Sequence, residues 1–293
     1  MNQTRRSVLK KIAIGTSIAL AAPAMCVANE FKEEKPYKLK GNINHSVCQW
    51  TYDFLSLEEL CLLVKKIGFG AIDLIAPKDW PTLQKHGLYS SMCYTAGKIS
   101  LTKGFNDPQY HDQLVEEFLN VFPLMKEAGY KNVICFSGSR NGMDDETGLK
   151  NCVAGLKKIL PAAEKNGVTV VMELLNSKVD HKDYMCDHTN WGVELCKRLG
   201  SENFKLLYDI YHMQIDEGDV IRTITDHHQY IAHYHTGGVP GRNEINDTQE
   251  LFYPAIMRAI LKTGYKGYVA QEFIPKANDK AASLKEAIQI CDV

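Results

Sequence analysis

No charge of either sign dominates this chain: 34 Lys and Arg face 35 Asp and Glu, for a net charge of −1. A protein that tracks phosphates normally carries a basic excess, so the balance argues against a nucleic-acid surface. No GxGxxG turn follows the first apolar stretch, which leaves an open dinucleotide-binding sheet without its phosphate loop. The apolar run Ile12 to Ala22 is too short for a stable membrane span. Nine cysteines are present, yet no pair shows the close spacing of a structural zinc site. Cys48, Cys61, Cys93 and Cys135 fall inside apolar runs, where a thiol acts as a small hydrophobe, so they read as core thiols.

What is present begins with a targeting signal. TRRSVLKK places Arg5 and Arg6 ahead of the apolar run, and small residues at Cys26 and Ala28 suit a cleavage site. Residues 1–28 therefore read as a twin-arginine signal peptide, with export of the folded chain to the periplasm. Residues 29–41, polar and broken by Pro36, read as a linker, and residues 42–293 as one domain.

Within that domain one unit recurs: an apolar strand, a polar loop, an amphipathic helix, then Gly or Asn before the next strand. Ser56 and Glu59 form a capping box for a helix whose Leu57, Leu60, Cys61 and Val64 share a face. Asp107 and Pro108 open a helix that stops at Gly129, and a single helix is expected over Asp145 to Lys165. Eight strands alternating with eight helical segments over about 250 residues match the usual length of a (β/α)8 TIM barrel.

The most informative strand is VTVVMELLN, Val168 to Asn176, apolar without interruption until Glu173. That is how a strand covered on both faces reads. Three later strands repeat the grammar, ending in Asp209, His235 and Glu272. Strand ends converge on one face of such a barrel, so these four groups would meet. Three carboxylates and one imidazole form a hard, oxygen-rich set for Mn²⁺ or Mg²⁺, with Co²⁺ or Zn²⁺ as alternatives. A divalent ion there can stabilise an enediolate, and Glu173 and Glu272, expected on opposite sides of the barrel, can serve as base and acid across one substrate. The chemistry is isomerisation or epimerisation.

His212, three residues after Asp209, can hold a substrate oxygen, and Arg242 can pair with a carboxylate or phosphate. Trp50 and Trp80 are candidates for the wall of a sugar-sized pocket, with Tyr52, Tyr94 and Phe136 as weaker ones. The partner expected is a small sugar or hydroxy-keto acid, and a homo-oligomer is left open. Strands one to three end in Trp50, Asp73 and Tyr94, too few ligands for the three-metal cluster of an abasic-site endonuclease. A non-catalytic periplasmic sugar-binding barrel would need only the pocket.

MELLNS, YDIYHMQIDEGD, HYHTGGVPGRNEIN and GYVAQEF resemble the sugar isomerase and epimerase barrels related to xylose isomerase. The middle two are most similar to hydroxypyruvate isomerase. The resemblance covers Asn42 to Val293 and is densest from Val168 onward. It implies Glu173 and Glu272 as the catalytic pair, Glu173, Asp209, His235 and Glu272 as the metal site, and His212 and Arg242 near the substrate. His235 itself resembles the ketose 3-epimerases of the group, so a ketose 3-epimerase or a lyase on keto-sugars is the alternative activity.

Overall fold

The computed structural model describes residues 37–97 and 100–293. The expected signal peptide, residues 1–28, and linker residues 29–36 lie outside the described residues. The compact unit begins at Tyr37, ahead of the Asn42 expected from composition. Asp292, near the far end of the chain, accepts hydrogen bonds from Tyr37 Oη and Lys40 N, each at 2.9 Å, and so ties residues 37–41 to the barrel.

Eight strands are formed: β1 (Asn44–Val47), β2 (Ala71–Ile72), β3 (Tyr89–Ser90), β4 (Asn132–Cys135), β5 (Thr169–Glu173), β6 (Phe204–Asp209), β7 (Ile231–Thr236) and β8 (Tyr268–Gln271). Six of them pair in the order β1-β8-β7-β6-β5-β4, β2 pairs with β3, and every pairing is parallel. Single-residue parallel bridges, Cys48 to Asp73 and Cys93 to Val133, join the pair to both edges of the six. The ring closes, and the expected (β/α)8 barrel is the fold.

Local sequence explains most element ends. Ser56 Oγ accepts from Glu59 N while Glu59 Oε2 accepts from Ser56 N, the reciprocal box that starts the helix Leu57–Ile67. Gly68 ends that helix at φ 116°, where a Cβ would be strained. The helix His111–Ala128 turns Phe118, Val121, Phe122 and Met125 inward. Each such large apolar side chain stabilises the fold by roughly 1.5–3 kcal/mol relative to leaving it exposed.

One expected helix is two. Asp145–Leu156 and Leu160–Asn166 replace the single element over Asp145 to Lys165. Pro161 has no N–H to return to the carbonyl of Lys157 and suits a first turn, and the new helix starts there. The eight described cysteines are free and buried. Among the described residues no helix is long and apolar enough to cross a membrane.

Candidate active site

β5 to β8 are neighbours, so the groups at their ends meet. Glu173 closes β5, Asp209 closes β6, His235 is next to last in β7, and Glu272 follows β8. Asp209 lies opposite His235 in register, and His235 opposite Ala270, two residues before Glu272. One ligand atom from each of the four lies within 4.8 Å of the others, and all four residues are buried. His235 Nδ1 is 2.8 Å from Glu272 Oε2 and 3.4 Å from Glu173 Oε1.

Asp209 has two jobs. Its Oδ1 accepts from Tyr211 N at 2.8 Å and so caps the helix Ile210–Asp216, an element the periodicity did not reveal. Its Oδ2 faces the site, 3.3 Å from Arg242 Nη2. Arg242 also bonds Glu272 Oε2 at 2.5 Å and lies over the rings of Trp50 and Tyr211, 5.1 and 5.4 Å from their centroids. Its backbone is held at φ 58°, a left-handed value costly for arginine. Arg242 N to Gly238 O and Ile274 N to Arg242 O secure that turn. A Cβ on Gly238 would sit 2.3 Å from Glu244 O, so the turn admits only glycine there. The arginine expected to meet a substrate anion is thus at the site, engaged with the site's own carboxylates.

Burial and crowding split the carboxylates. Burial pushes Asp209 up to about 8 against the pull of Arg242. Burial also raises Glu173, opposed by His235 and reinforced by the Glu272 charge. Burial would raise Glu272 too, but Arg242, His235 and Trp50 together hold it well below the usual carboxylate range.

His212 sits one turn into the helix after Asp209. Asn176 Oδ1 accepts from Val179 N and Asp180 N, which turns its amide nitrogen toward His212 Nδ1, 2.6 Å away. Nδ1 is therefore the acceptor, and the network assigns the proton to Nε2, 3.6 Å from Asp209 Oδ2 and otherwise unpartnered. Burial, then Arg242, keeps the ring well below its ordinary pKa, hence neutral.

Above these groups opens a cavity of about 680 Å³, the size of a small-molecule site. Trp50, Tyr94, Phe136, His181 and the exposed Lys78 stand on its wall. Trp50, half exposed, donates its indole N–H to Glu272. Trp80 does not reach the cavity. Its N–H bonds Ile75 O and its ring packs edge-on against Tyr130, because the helix Trp80–Lys85 turns it into the core. Tyr52 is likewise fully buried, its hydroxyl bonding Lys280 O.

Several site residues escaped the sequence reading. His181 and Asn176 lie in the irregular loop after β5, where no periodicity marks them. Asp73 and His233 are buried beneath His235. The signal for His233 was available: it lies two residues before His235, on the same face of a strand.

The donor set fits a divalent cation. Three buried carboxylates face one guanidinium, and Glu173 Oε1 is enclosed without a well-formed hydrogen bond. With all three carboxylates ionised and His235 neutral, as metal ligands must be, a dipositive ion among them would balance the remaining two negative charges.

The xylose isomerase-like TIM barrel family model matches residues 62–291. The chain belongs to that family. A 2-oxo-tetronate isomerase of Cupriavidus necator is 37% identical over 120 residues, 41% of this chain and 45% of that protein. The matched stretch thus spans less than half of that relative's length. The hydroxypyruvate isomerase of Escherichia coli is 24% identical over 256 residues, 83% of this chain and 96% of that protein. A solved structure described as an AP endonuclease, family 2, from Brucella melitensis superposes with a TM-score of 0.72 at 22% identity, over 83% of this chain and 97% of that one. At that identity it attests the shared barrel and no more.

Proposed function

We propose that this family member is an isomerase or epimerase that moves a proton on the carbon beside a carbonyl in a small hydroxy-keto acid or keto-sugar. The specific reaction we favour is aldose–ketose interconversion of the hydroxypyruvate isomerase type. The observation that carries the reading is the pair Glu173 and Glu272, whose carboxylates reach one imidazole nitrogen, 3.4 and 2.8 Å away, and which both line the cavity. Two carboxylates facing one cavity can serve as base and acid on one substrate. Two curated relatives named as isomerases of keto acids support it.

Glu173, Asp209, His235 and Glu272 would hold Mn²⁺ or Mg²⁺, which when bound supplies Lewis-acid polarisation of a carbonyl oxygen. Glu272, kept ionised, takes the C–H proton. Glu173, with the greater affinity for a proton, returns one to the neighbouring carbon or to the opposite face. The His212 Nε2–H donates to a substrate oxygen. Trp50, Tyr94 and Phe136 wall the reacting carbons from water. For location, the twin arginines support export to the periplasm, where a small sugar or its oxidised acid is the partner.

Incubation of the Mn²⁺-supplied protein with hydroxypyruvate, a 2-keto-tetronate and a ketose in heavy water tests the reading. Deuterium entering the carbon beside the carbonyl, with an isomer or epimer formed, is the expected result. Binding of these compounds with no exchange would overturn it in favour of a sugar-binding barrel.

A further inference from the structure

Beneath the four converging groups lies a carboxylate that neither the motifs nor the proposed chemistry uses. Asp73 follows β2 and stands 162 positions before His235 in sequence, yet its Oδ2 is 2.9 Å from His235 Nε2. The same oxygen is 2.7 Å from His233 Nε2. The two imidazoles lie two residues apart on β7, so the strand's alternation turns both to the barrel interior, with ring centroids 5.2 Å apart. On its other oxygen, Asp73 Oδ1 accepts from Ser91 Oγ at 3.1 Å and from Leu74 N at 3.2 Å. Leu74 holds φ 62°, a left-handed value rare for leucine. Ser91 is braced in turn by Ser46 Oγ, 2.5 Å away. Asp73, His233 and His235 have no exposed surface, so no substrate reaches this carboxylate.

We propose that Asp73 is a positioning residue: it holds the Nε2–H of His235 so that the bare Nδ1 is presented to the cation site formed with Glu173, Asp209 and Glu272. The reason is the inventory of donors and acceptors. A carboxylate only accepts, so the nitrogen facing it must carry a hydrogen. When the imidazole is neutral, that leaves Nδ1 as a lone pair. Nδ1 faces Glu272 Oε2 and Glu173 Oε1, 2.8 and 3.4 Å away, and with no ion bound the same rule places a second proton there: against burial, Cys48, Glu272 and Asp73 hold the ring well above its ordinary pKa. A divalent cation among these oxygens takes the place of that second proton, and Nδ1 then meets it as a lone pair because Asp73 keeps the other proton on Nε2. A carboxylate behind a ligating histidine fixes ring orientation and raises ligand basicity. His233 donates to the same oxygen, and its own Nδ1 is left buried and unpartnered.

The inference rests on the metal-site reading, and the test separates the two. Mn²⁺ affinity of the full chain and of Asp73→Asn is measured by competition with a fluorescent chelator, with circular dichroism melting alongside. Asparagine keeps the size and one acceptor oxygen but loses the charge. Binding weaker by about 10- to 100-fold in a folded variant is expected. A folded variant with parental affinity would overturn the proposal, because a merely structural aspartate would lower the melting temperature and leave affinity alone. If the parent binds no Mn²⁺, the metal reading fails. Asp73 is then judged on the parent by ¹⁵N ring shifts of His235, assigned by their loss in His235→Gln and read where the ring is neutral. The same spectrum decides the matter if Asp73→Asn does not fold. An Nε2–H tautomer upholds the proposal, and an Nδ1–H tautomer refutes it.

Discussion

The indole N–H of Trp50 donates to Glu272 Oε1 at 2.7 Å, joining the turn after β1 to the end of β8 across 222 positions of sequence. The bond fixes the rotation of the carboxylate, leaving Oε2 to Arg242 and His235. Trp50 thus acts on the proposed base as well as walling the cavity. Trp50→Phe keeps a ring under Arg242 and removes the donor. A hydrogen bond to a charged group is worth about 1.5–3 kcal/mol, so kcat is expected to fall about 10- to 100-fold. Steady-state kinetics check this, and an unchanged kcat would leave Trp50 as wall alone.

Both glutamates are expected to carry the proton transfer. Glu173→Gln and Glu272→Gln keep size and one ligating oxygen while removing the basic site. Each should lose turnover by about 10²–10⁴-fold while still binding Mn²⁺ and substrate. Parental turnover by either variant, with metal in place, would remove that glutamate from the chemistry.

Metal is expected to stabilise the fold through Asp209. Free Mn²⁺ at 100 times its dissociation constant should add about 2.7 kcal/mol to the unfolding free energy. Asp209→Asn retains an oxygen to cap the helix Ile210–Asp216 and loses the charge, so it should fold yet show no such gain. Melting with Mn²⁺ or with chelator, alongside elemental analysis, reads the outcome.

Acid sensitivity is expected from His45. It is buried, neither ring nitrogen has a partner, and burial lowers it to about 4 against a weaker pull from Asp292. The folded state therefore favours the neutral ring. Above pH 6.5 the ring is neutral in both states and contributes no pH dependence; as pH falls from 6.5 toward 4 the unfolded chain gains a proton that the fold refuses. Stability should drop over that window by on the order of 3 kcal/mol. Urea midpoints of parent and His45→Leu against pH check it; equal slopes would discount the residue.

Export is expected to need the arginine pair. Replacing Arg5 and Arg6 with lysine should leave the precursor in the cytoplasm. Fractionation of cells reads the result, and normal export of the variant would exclude the twin-arginine route.

The sequence by itself determined the repeating unit and the four strand ends. A strand buried on both faces must be apolar throughout, so a lone carboxylate at its end, as at Glu173, marks the point where chain leaves core. Ser56 with Glu59, and Gly68 and Gly129, set helix ends through bonds spanning three or four residues, which short-range sequence can encode. The break at Pro161 was written there too, in a residue without an N–H, although a single helix was expected across it. What only the tertiary structure decided is which groups meet across the barrel. Trp80 and Trp50 look alike as aromatics beside early strands, yet the turn of one short helix buries the first and β1 aims the second at Glu272. Asp73 was legible only as a strand end and His233 only as a same-face neighbour of His235; their partners are brought to them by closure of the ring, and a contact across 162 positions leaves no periodicity to read. Arg242 joins Asp209 and Glu272 for the same reason: a left-handed turn at the mouth of the barrel, not its neighbours in sequence, carries its charge there.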